Sequence, residues 1–190
     1  MTTEKVSVAF YRGSNNEPFI NRLTQQLTGE FVHCEVVFND PKSGKHNLAC
    51  GVWQDEVVFM RPKTFGRTTW TFRSIQSVPT SSARAIRNFC HRQVGKPFNK
   101  WGLVRCITPF PKATDDTSWF CSELATRAFQ EAGYFQGVLP SMVTPSALYE
   151  MLDGMSYQDA SPLRHERMRS KGLTFERFRH RPDTGSPSVV

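Results

Sequence analysis

The sequence predicts an α+β fold, with strands gathered in the first half of the chain and helices dominating the second. Three observations lead there. Five short runs, Lys5–Tyr11, Phe31–Phe38, His46–Trp53, Glu56–Met60 and Thr68–Ile75, are rich in β-branched and aromatic residues and are separated by polar or Gly/Pro-containing turns. Four other segments carry apolar residues at helical spacing, and most of them follow the last of these strands. The length of 190 residues suits one domain of about 150 residues with an appendage. The division is expected at residues 1–155 for the domain and 156–190 for a basic tail.

The elements follow in order. Lys5-Val6-Ser7-Val8-Ala9-Phe10-Tyr11 is the first strand. A helix is expected after Asn15-Asn16, with Pro18 near its first turn, Ile20, Leu23 and Leu27 on one face, and Gly29 at its end. In the Phe31–Phe38 strand, period two sends His33, Glu35 and Val37 to one face and Cys34, Val36 and Phe38 to the other. The polar turn Asn39-Asp40-Pro41-Lys42-Ser43-Gly44 leads into the three remaining strands. Ser81 or Ser82 is expected to cap a helix built on Ala83, Ile86, Phe89 and Cys90 and ended by Gly95. Gly95-Lys96-Pro97-Phe98-Asn99-Lys100-Trp101-Gly102 reads as a loop. Thr117 or Ser118 can cap the next helix, whose stripe is Phe120, Leu124, Ala128 and Phe129 and whose end is Gly133. The last helix has Thr144 as N-cap, Pro145 at its first position and Gly154 at its end.

Trp119-Phe120-Cys121-Ser122-Glu123-Leu124 carries the strongest chemical signal. It sets Cys121 in or near the first turn of a helix, where unpaired N–H groups and the macrodipole favour a thiolate. A thiolate needs a base, and the best histidine is His33, which shares a strand face with Glu35. A buried imidazole and carboxylate without partners would cost several kcal/mol, so the pair must be solvated or matched. The plain alternatives are an edge strand with one wet face and a cysteine that merely packs. Trp119 and Phe120, beside the cysteine, are candidates to wall a substrate groove.

These pieces, taken together, resemble a known family. A first strand ending in Tyr11-Arg12-Gly13, a helix, and an aromatic-x-His-x-Glu-apolar strand look like the start of permuted papain-like proteins of the NlpC superfamily, which include the lecithin–retinol acyltransferase-like branch. Gly95-Lys96-Pro97-Phe98-Asn99 resembles that family's Gly-x-Pro-Tyr-Asp loop, and Phe120-Cys121-Ser122-Glu123-Leu124 its Phe/Tyr-Cys-Ser-Glu-Leu nucleophile motif. The histidine strand precedes the cysteine helix, which is the permuted order. The resemblance covers roughly residues 5 to 150 and implies an antiparallel sheet with the nucleophile helix packed against it.

It also implies roles. Cys121 would be the nucleophile and His33 the general base that takes the thiol proton and returns it to the leaving group. A third polar group should hold the imidazole's tautomer. Glu35 is preferred for this, with His46 the alternative, near where the acyltransferase-like branch places a second histidine. The family's glutamate in that strand has no match in His46-Asn47-Leu48-Ala49-Cys50-Gly51. The backbone N–H of Cys121 would serve as an oxyanion donor. Relatives divide among peptide, isopeptide and fatty-acyl substrates, all through an acyl-thioester and without a cofactor. The acyltransferase-like branch usually has Asn-Cys-Glu-His where this chain has Phe120-Cys121-Ser122-Glu123, which loosens that closer kinship. Short proteins of this build are familiar among bacterial membrane-associated proteins and large DNA viruses; for a viral chain, host cytoplasm or virion would be the location.

Composition sets the outer limits. No segment approaches the ~18 apolar residues that span a bilayer, and no signal-peptide stretch opens the chain. Five cysteines, Cys34, Cys50, Cys90, Cys106 and Cys121, form an odd set without framework spacing, so reduced thiols in a cytoplasmic compartment are expected. His46-x-x-x-Cys50 and Cys90-His91 are the only metal-like hints, and no metal site is expected from them. Gly13-Ser14-Asn15-Asn16 lacks the ending of a phosphate loop, and no dinucleotide fingerprint is present. The formal net charge is +7. From Ser156 onward, seven Lys+Arg against four Asp+Glu give +3, leaving +4 for the rest. The arginine-rich tail, with Phe175 and Phe178, is expected to be flexible and is a candidate for contact with nucleic acid or an anionic membrane. Three function classes therefore stand in order: a thiol acyl hydrolase or transferase, an inactive papain-like binding module, and a tail-driven nucleic-acid or membrane binder.

Overall fold

The computed structural model describes residues 3–13, 29–38, 47–54, 56–100 and 116–156. The helix expected after Asn15-Asn16, the turn from Asn39 to Gly44, His46, Cys106 and the tail beyond residue 156 lie outside them.

The fold is α+β. Five strands, β1 (Thr3–Tyr11), β2 (His33–Phe38), β3 (Asn47–Gly51), β4 (Phe59–Lys63) and β5 (Trp70–Pro79), form one sheet in the order β4-β3-β2-β1-β5. Every neighbouring pair is antiparallel. Three helices follow: α1 (Thr80–Gln93), α2 (Cys121–Gln130) and α3 (Pro145–Ser156).

β2 lies in the middle of the sheet, and all six of its residues are buried. The edge-strand alternative for His33 and Glu35 is thereby overturned. Val36 pairs with Val8 on one side and with Cys50 on the other. Val6, Val8 and Phe10 of β1 and Cys34, Val36 and Phe38 of β2 join one buried cluster with Ala83, Ile86 and Phe89 of α1 and Leu124, Ala125 and Ala128 of α2. Alternation thus turns one face of both strands to the helices. Pro62 sits in β4, an edge strand, where a missing N–H costs no ladder bond.

Element ends moved where backbone geometry overrode side-chain signals. β4 begins three residues later than Glu56, because Val57 and Val58 instead contact the Gly95–Asn99 loop. β5 runs on through Pro79 straight into α1, so the N-cap is Pro79, with no side-chain cap bond, and Ser81 and Ser82 lie inside the helix. Likewise Phe120, not Thr117 or Ser118, precedes the first residue of α2, without a side-chain cap bond. At α3 the expected N-cap is present: the Ala147 N–H donates to Thr144 Oγ1 at 3.1 Å. Gly154 does not end that helix, which continues to Ser156. Among the described residues, no helix is long and apolar enough to cross a membrane.

Candidate active site

The start of α2 is clamped from two sides. Upstream, the Trp119 N–H donates to the Pro97 carbonyl at 3.1 Å and the Asn99 N–H to the Trp119 carbonyl at 2.7 Å. The same loop is tied to the strand side by the Val58 N–H on the Lys96 carbonyl at 2.8 Å and the Gly95 N–H on the Val58 carbonyl at 2.9 Å. Gly95, at φ +89°, makes the left-handed turn that lets the chain leave α1 for this clamp. Downstream, the buried Ser122 hydroxyl donates to the Val143 carbonyl at 2.6 Å. The helix therefore delivers Cys121, its first residue, to a fixed place at the entry end of β2.

There Cys121 meets His33, the first residue of β2. The imidazole hydrogen-bonds the Cys121 sulfur and, through Nε2, reaches Glu35 Oε1 at 3.2 Å. All three are buried: Cys121 is 6% exposed, His33 5% and Glu35 0%. Sulfur, imidazole and carboxylate thus form a chain in which Nε2–H donates to the carboxylate. A nitrogen committed as donor cannot also take a proton, so Nδ1 is left to serve the thiol.

Three donors converge on Glu35 Oε1. Besides His33, they are Trp53 Nε1 at 3.1 Å and Lys63 Nζ at 2.5 Å. Trp53 also stacks on the His33 ring, with centroids 3.7 Å apart and planes 25° from parallel, and Trp70 meets it edge-on at 6.0 Å. Lys63 reaches Glu35 between aromatic rings, its Nζ 4.6 Å from the Trp70 centroid and 5.2 Å from those of Trp53 and Phe65. The imidazole is therefore fixed by a hydrogen bond to Glu35 of β2 and by the ring face of Trp53, two residues beyond the end of β3.

Charge follows from these contacts. Burial alone would push the His33 pKa down, but its hydrogen bond and charge attraction to Cys121, and then to Glu35, raise it to about 9. The Cys121 thiol is held well below its ordinary value, first by a hydrogen bond from the Cys34 thiol, which outweighs burial, and then by His33 and the Cys34 backbone N–H. Burial works against an ionised Glu35, yet His33 and then Lys63 lower its pKa. The arrangement favours a thiolate–imidazolium pair beside an ionised carboxylate.

Gly51 makes room for that carboxylate. It follows Cys50, the partner of Val36, and a Cβ built on it would lie 2.7 Å from Glu35 Cγ and 3.3 Å from Phe59 Cζ. Gly51→Ala is expected to lower stability by about 1–3 kcal/mol and to slow Cys121 alkylation by displacing Glu35 from His33. Denaturant unfolding and timed alkylation check the two effects separately.

The structure brings Cys121, His33 and Glu35 together; His46 lies outside the described residues. Trp119 and Phe120 are wholly buried: the Trp119 ring packs edge-on against Phe89 at 5.7 Å and donates from Nε1 to Gln93 Oε1 at 3.2 Å. Their side chains sit in the core rather than along an open groove. Sequence reasoning missed Trp53, Lys63 and Cys34. Lys63 fell beyond a strand expected to end at Met60, and alternation placed Cys34 on the face opposite His33. Among the described residues, no group of three or more His, Cys, Asp or Glu could hold a metal ion.

The chain is thus an α+β protein with a five-stranded antiparallel sheet and a buried cysteine–histidine–glutamate cluster where β2 meets α2. No family model, no curated protein and no solved structure matches it.

Proposed function

We propose that this chain is a permuted papain-like thiol enzyme that hydrolyses or transfers acyl groups, with Cys121 as nucleophile, His33 as general base and acid, and Glu35 as the group that orients the imidazole. One observation carries the reading: His33 hydrogen-bonds both the sulfur of a helix-start cysteine and a buried carboxylate. The order of the elements supports it, since the histidine strand precedes the cysteine helix and both belong to one packed unit.

The chemistry follows from the placement. The Cys121 thiolate adds to an acyl carbon; a C–S bond forms, and the carbonyl oxygen gains the charge. N–H groups of the first turn of α2, which have no side-chain cap from Phe120, face that charge favourably. The tetrahedral species collapses as the imidazolium gives its proton to the leaving amine or alcohol, leaving an acyl-thioester. His33 then takes a proton from water or an acceptor, which attacks the thioester and releases Cys121. Glu35 stays ionised throughout and steadies the imidazolium. A peptide, isopeptide or acyl-lipid bond fits this sequence of steps. A cytoplasmic location, where thiols stay reduced, suits a nucleophilic cysteine.

The test is the rate of Cys121 alkylation by iodoacetamide across pH, read by peptide mass spectrometry, in wild type and His33→Ala. Wild type should react with little pH dependence through neutrality. In His33→Ala the midpoint should move up toward the ordinary thiol value of about 8.5. Identical profiles in the two proteins would overturn the pairing of Cys121 with His33.

A further inference from the structure

The acyl-transfer reading gives no part to Lys63, although its ammonium lies on the carboxylate that orients His33. Lys63 ends β4, and its Nζ donates to Glu35 Oε1 at 2.5 Å. His33 Nε2 and Trp53 Nε1 reach the same oxygen at 3.2 Å and 3.1 Å. Glu35 Oε2 is buried and, among the described residues, has no hydrogen-bond partner. The carboxylate is therefore held through one oxygen. Of the three donors on it, Trp53 is neutral, His33 is a cation only while protonated, and Lys63 is an ammonium. That ammonium is itself confined, with Nζ 4.6 Å from the Trp70 centroid, 5.2 Å from those of Trp53 and Phe65, and 5.9 Å from that of Phe59.

We propose that Lys63 is a positioning residue of the acyl-transfer site, which answers the charge of Glu35 in the half of the cycle when His33 is neutral and so leaves His33 free to act as base on the acyl-thioester. Before acylation, two anions face His33, the Cys121 thiolate and Glu35. Acylation removes the thiolate's charge, and the leaving group carries off the imidazolium's proton. Glu35, at 0% exposure, then holds its charge beside a neutral ring. A buried carboxylate without a cation is strongly disfavoured. Without Lys63, the relief would be for the ring to take a proton from solvent and keep it. A ring so protonated cannot accept the proton of the water that attacks the thioester.

With Lys63 in place, the carboxylate has a charged partner throughout. The two contacts to the shared oxygen also keep the ammonium within about 6 Å of His33 Nε2, a range at which one cation disfavours another. Among the described residues, the other titratable groups facing the His33–Glu35 pair are Cys121 of α2, Cys34 of β2 and, opposite His33 in β1, Tyr11; Ala9 stands opposite Glu35. None of these is a cation. A buried ion pair is a weak source of stability, and Trp53 already donates to the carboxylate, so what Lys63 adds is charge.

This role rests on the acyl-transfer reading, and its test keeps the two apart. p-Nitrophenyl acetate has a leaving group that departs without a proton, so it isolates the later step. The acetyl group on Cys121 and its loss are followed by mass spectrometry of the full chain from neutral to alkaline pH. Wild type and Lys63→Arg should shed the acetyl group with the same pH midpoint. Lys63→Gln keeps an N–H donor without the charge, and its midpoint should move up by about one pH unit, the low end for a charge at this range. Its acetyl-enzyme should therefore last about tenfold longer at neutral pH, after a release of p-nitrophenolate as large as in wild type. Raising the pH should restore its rate, which a damaged fold would not do. Lys63→Met repeats the measurement should Lys63→Gln fail to fold. Acetyl loss in Lys63→Gln at the wild-type midpoint, or a Lys63→Arg midpoint raised as far as that of Lys63→Gln, would overturn the role of Lys63 and leave the acyl-transfer reading intact. A wild type that takes no acetyl group on Cys121 would overturn both.

Discussion

Cys121→Ser is expected to abolish acyl transfer, by about 10⁴-fold or more, while leaving the fold intact. The sulfur sits at the first position of α2 with 6% exposure, and a hydroxyl of similar size fits the same space. The chemistry does not survive the exchange. Serine holds its proton far more tightly than a thiol, and the contacts from Cys34 and His33 that draw Cys121 toward the thiolate cannot ionise a hydroxyl at neutral pH. A reporter ester such as p-nitrophenyl acetate supplies the readout: wild type should gain one acetyl group on Cys121 during turnover, and Cys121→Ser none. His33→Ala should lower the same rate by about 10²–10⁴-fold. Full activity in either variant would end the assignment, provided far-UV circular dichroism shows both folded.

Glu35→Gln should have the next largest effect, and on two observables at once. Glu35 Oε1 is the anion that answers His33, Lys63 and the Trp53 N–H. A neutral amide leaves the imidazolium and the Lys63 ammonium near each other with nothing between them. The His33 pKa should fall from its raised value near 9, and the thiolate it supports should become scarcer. Turnover should drop by about 10–100-fold, within the range of removing a group that steadies a catalytic histidine. It should drop more than in His46→Ala; the reverse order would move the third role to His46.

Stability should fall as well, by about 3 kcal/mol, the low end for breaking a buried ion pair, because the Lys63 side chain keeps 21% exposure. The sign with pH is fixed by the direction of the Glu35 shift. Its folded pKa lies below the unfolded value of about 4.3. Its contribution is therefore complete above that unfolded value and is lost as pH falls through the folded one. Wild type should lose stability over that acid window and Glu35→Gln should lack that part of the loss. His33 acts in the opposite sense: raised to about 9, it stabilises fully below its unfolded value of about 6.5 and loses that contribution as pH rises through about 9. Urea titrations at several pH values separate the two limbs.

Local pattern carried much of the framework. Alternation in Lys5–Tyr11 and Phe31–Phe38 located β1 and β2 and correctly divided His33 and Glu35 from Cys34 and Val36. Thr144 and Pro145 marked the start of α3 because an N-cap hydroxyl and a proline at N1 act within one turn. Caps failed at α1 and α2, where candidate Ser and Thr residues were bypassed: at α1 the helix grows directly out of β5, and at α2 the clamp by the Gly95–Asn99 loop sets where the helix begins.

By itself, then, the sequence determined the class of fold, the cysteine at a helix start and the histidine and glutamate on one strand face, because each rests on spacing within a few residues. Only the tertiary structure decided that β2 lies inside the sheet, that Cys121 reaches His33 across a long stretch of chain, and that Lys63, Trp53 and Cys34 complete the cluster. Those contacts join residues far apart in sequence, and their positions are fixed by strand pairing and by the packing of α2 against the sheet, which no local pattern encodes.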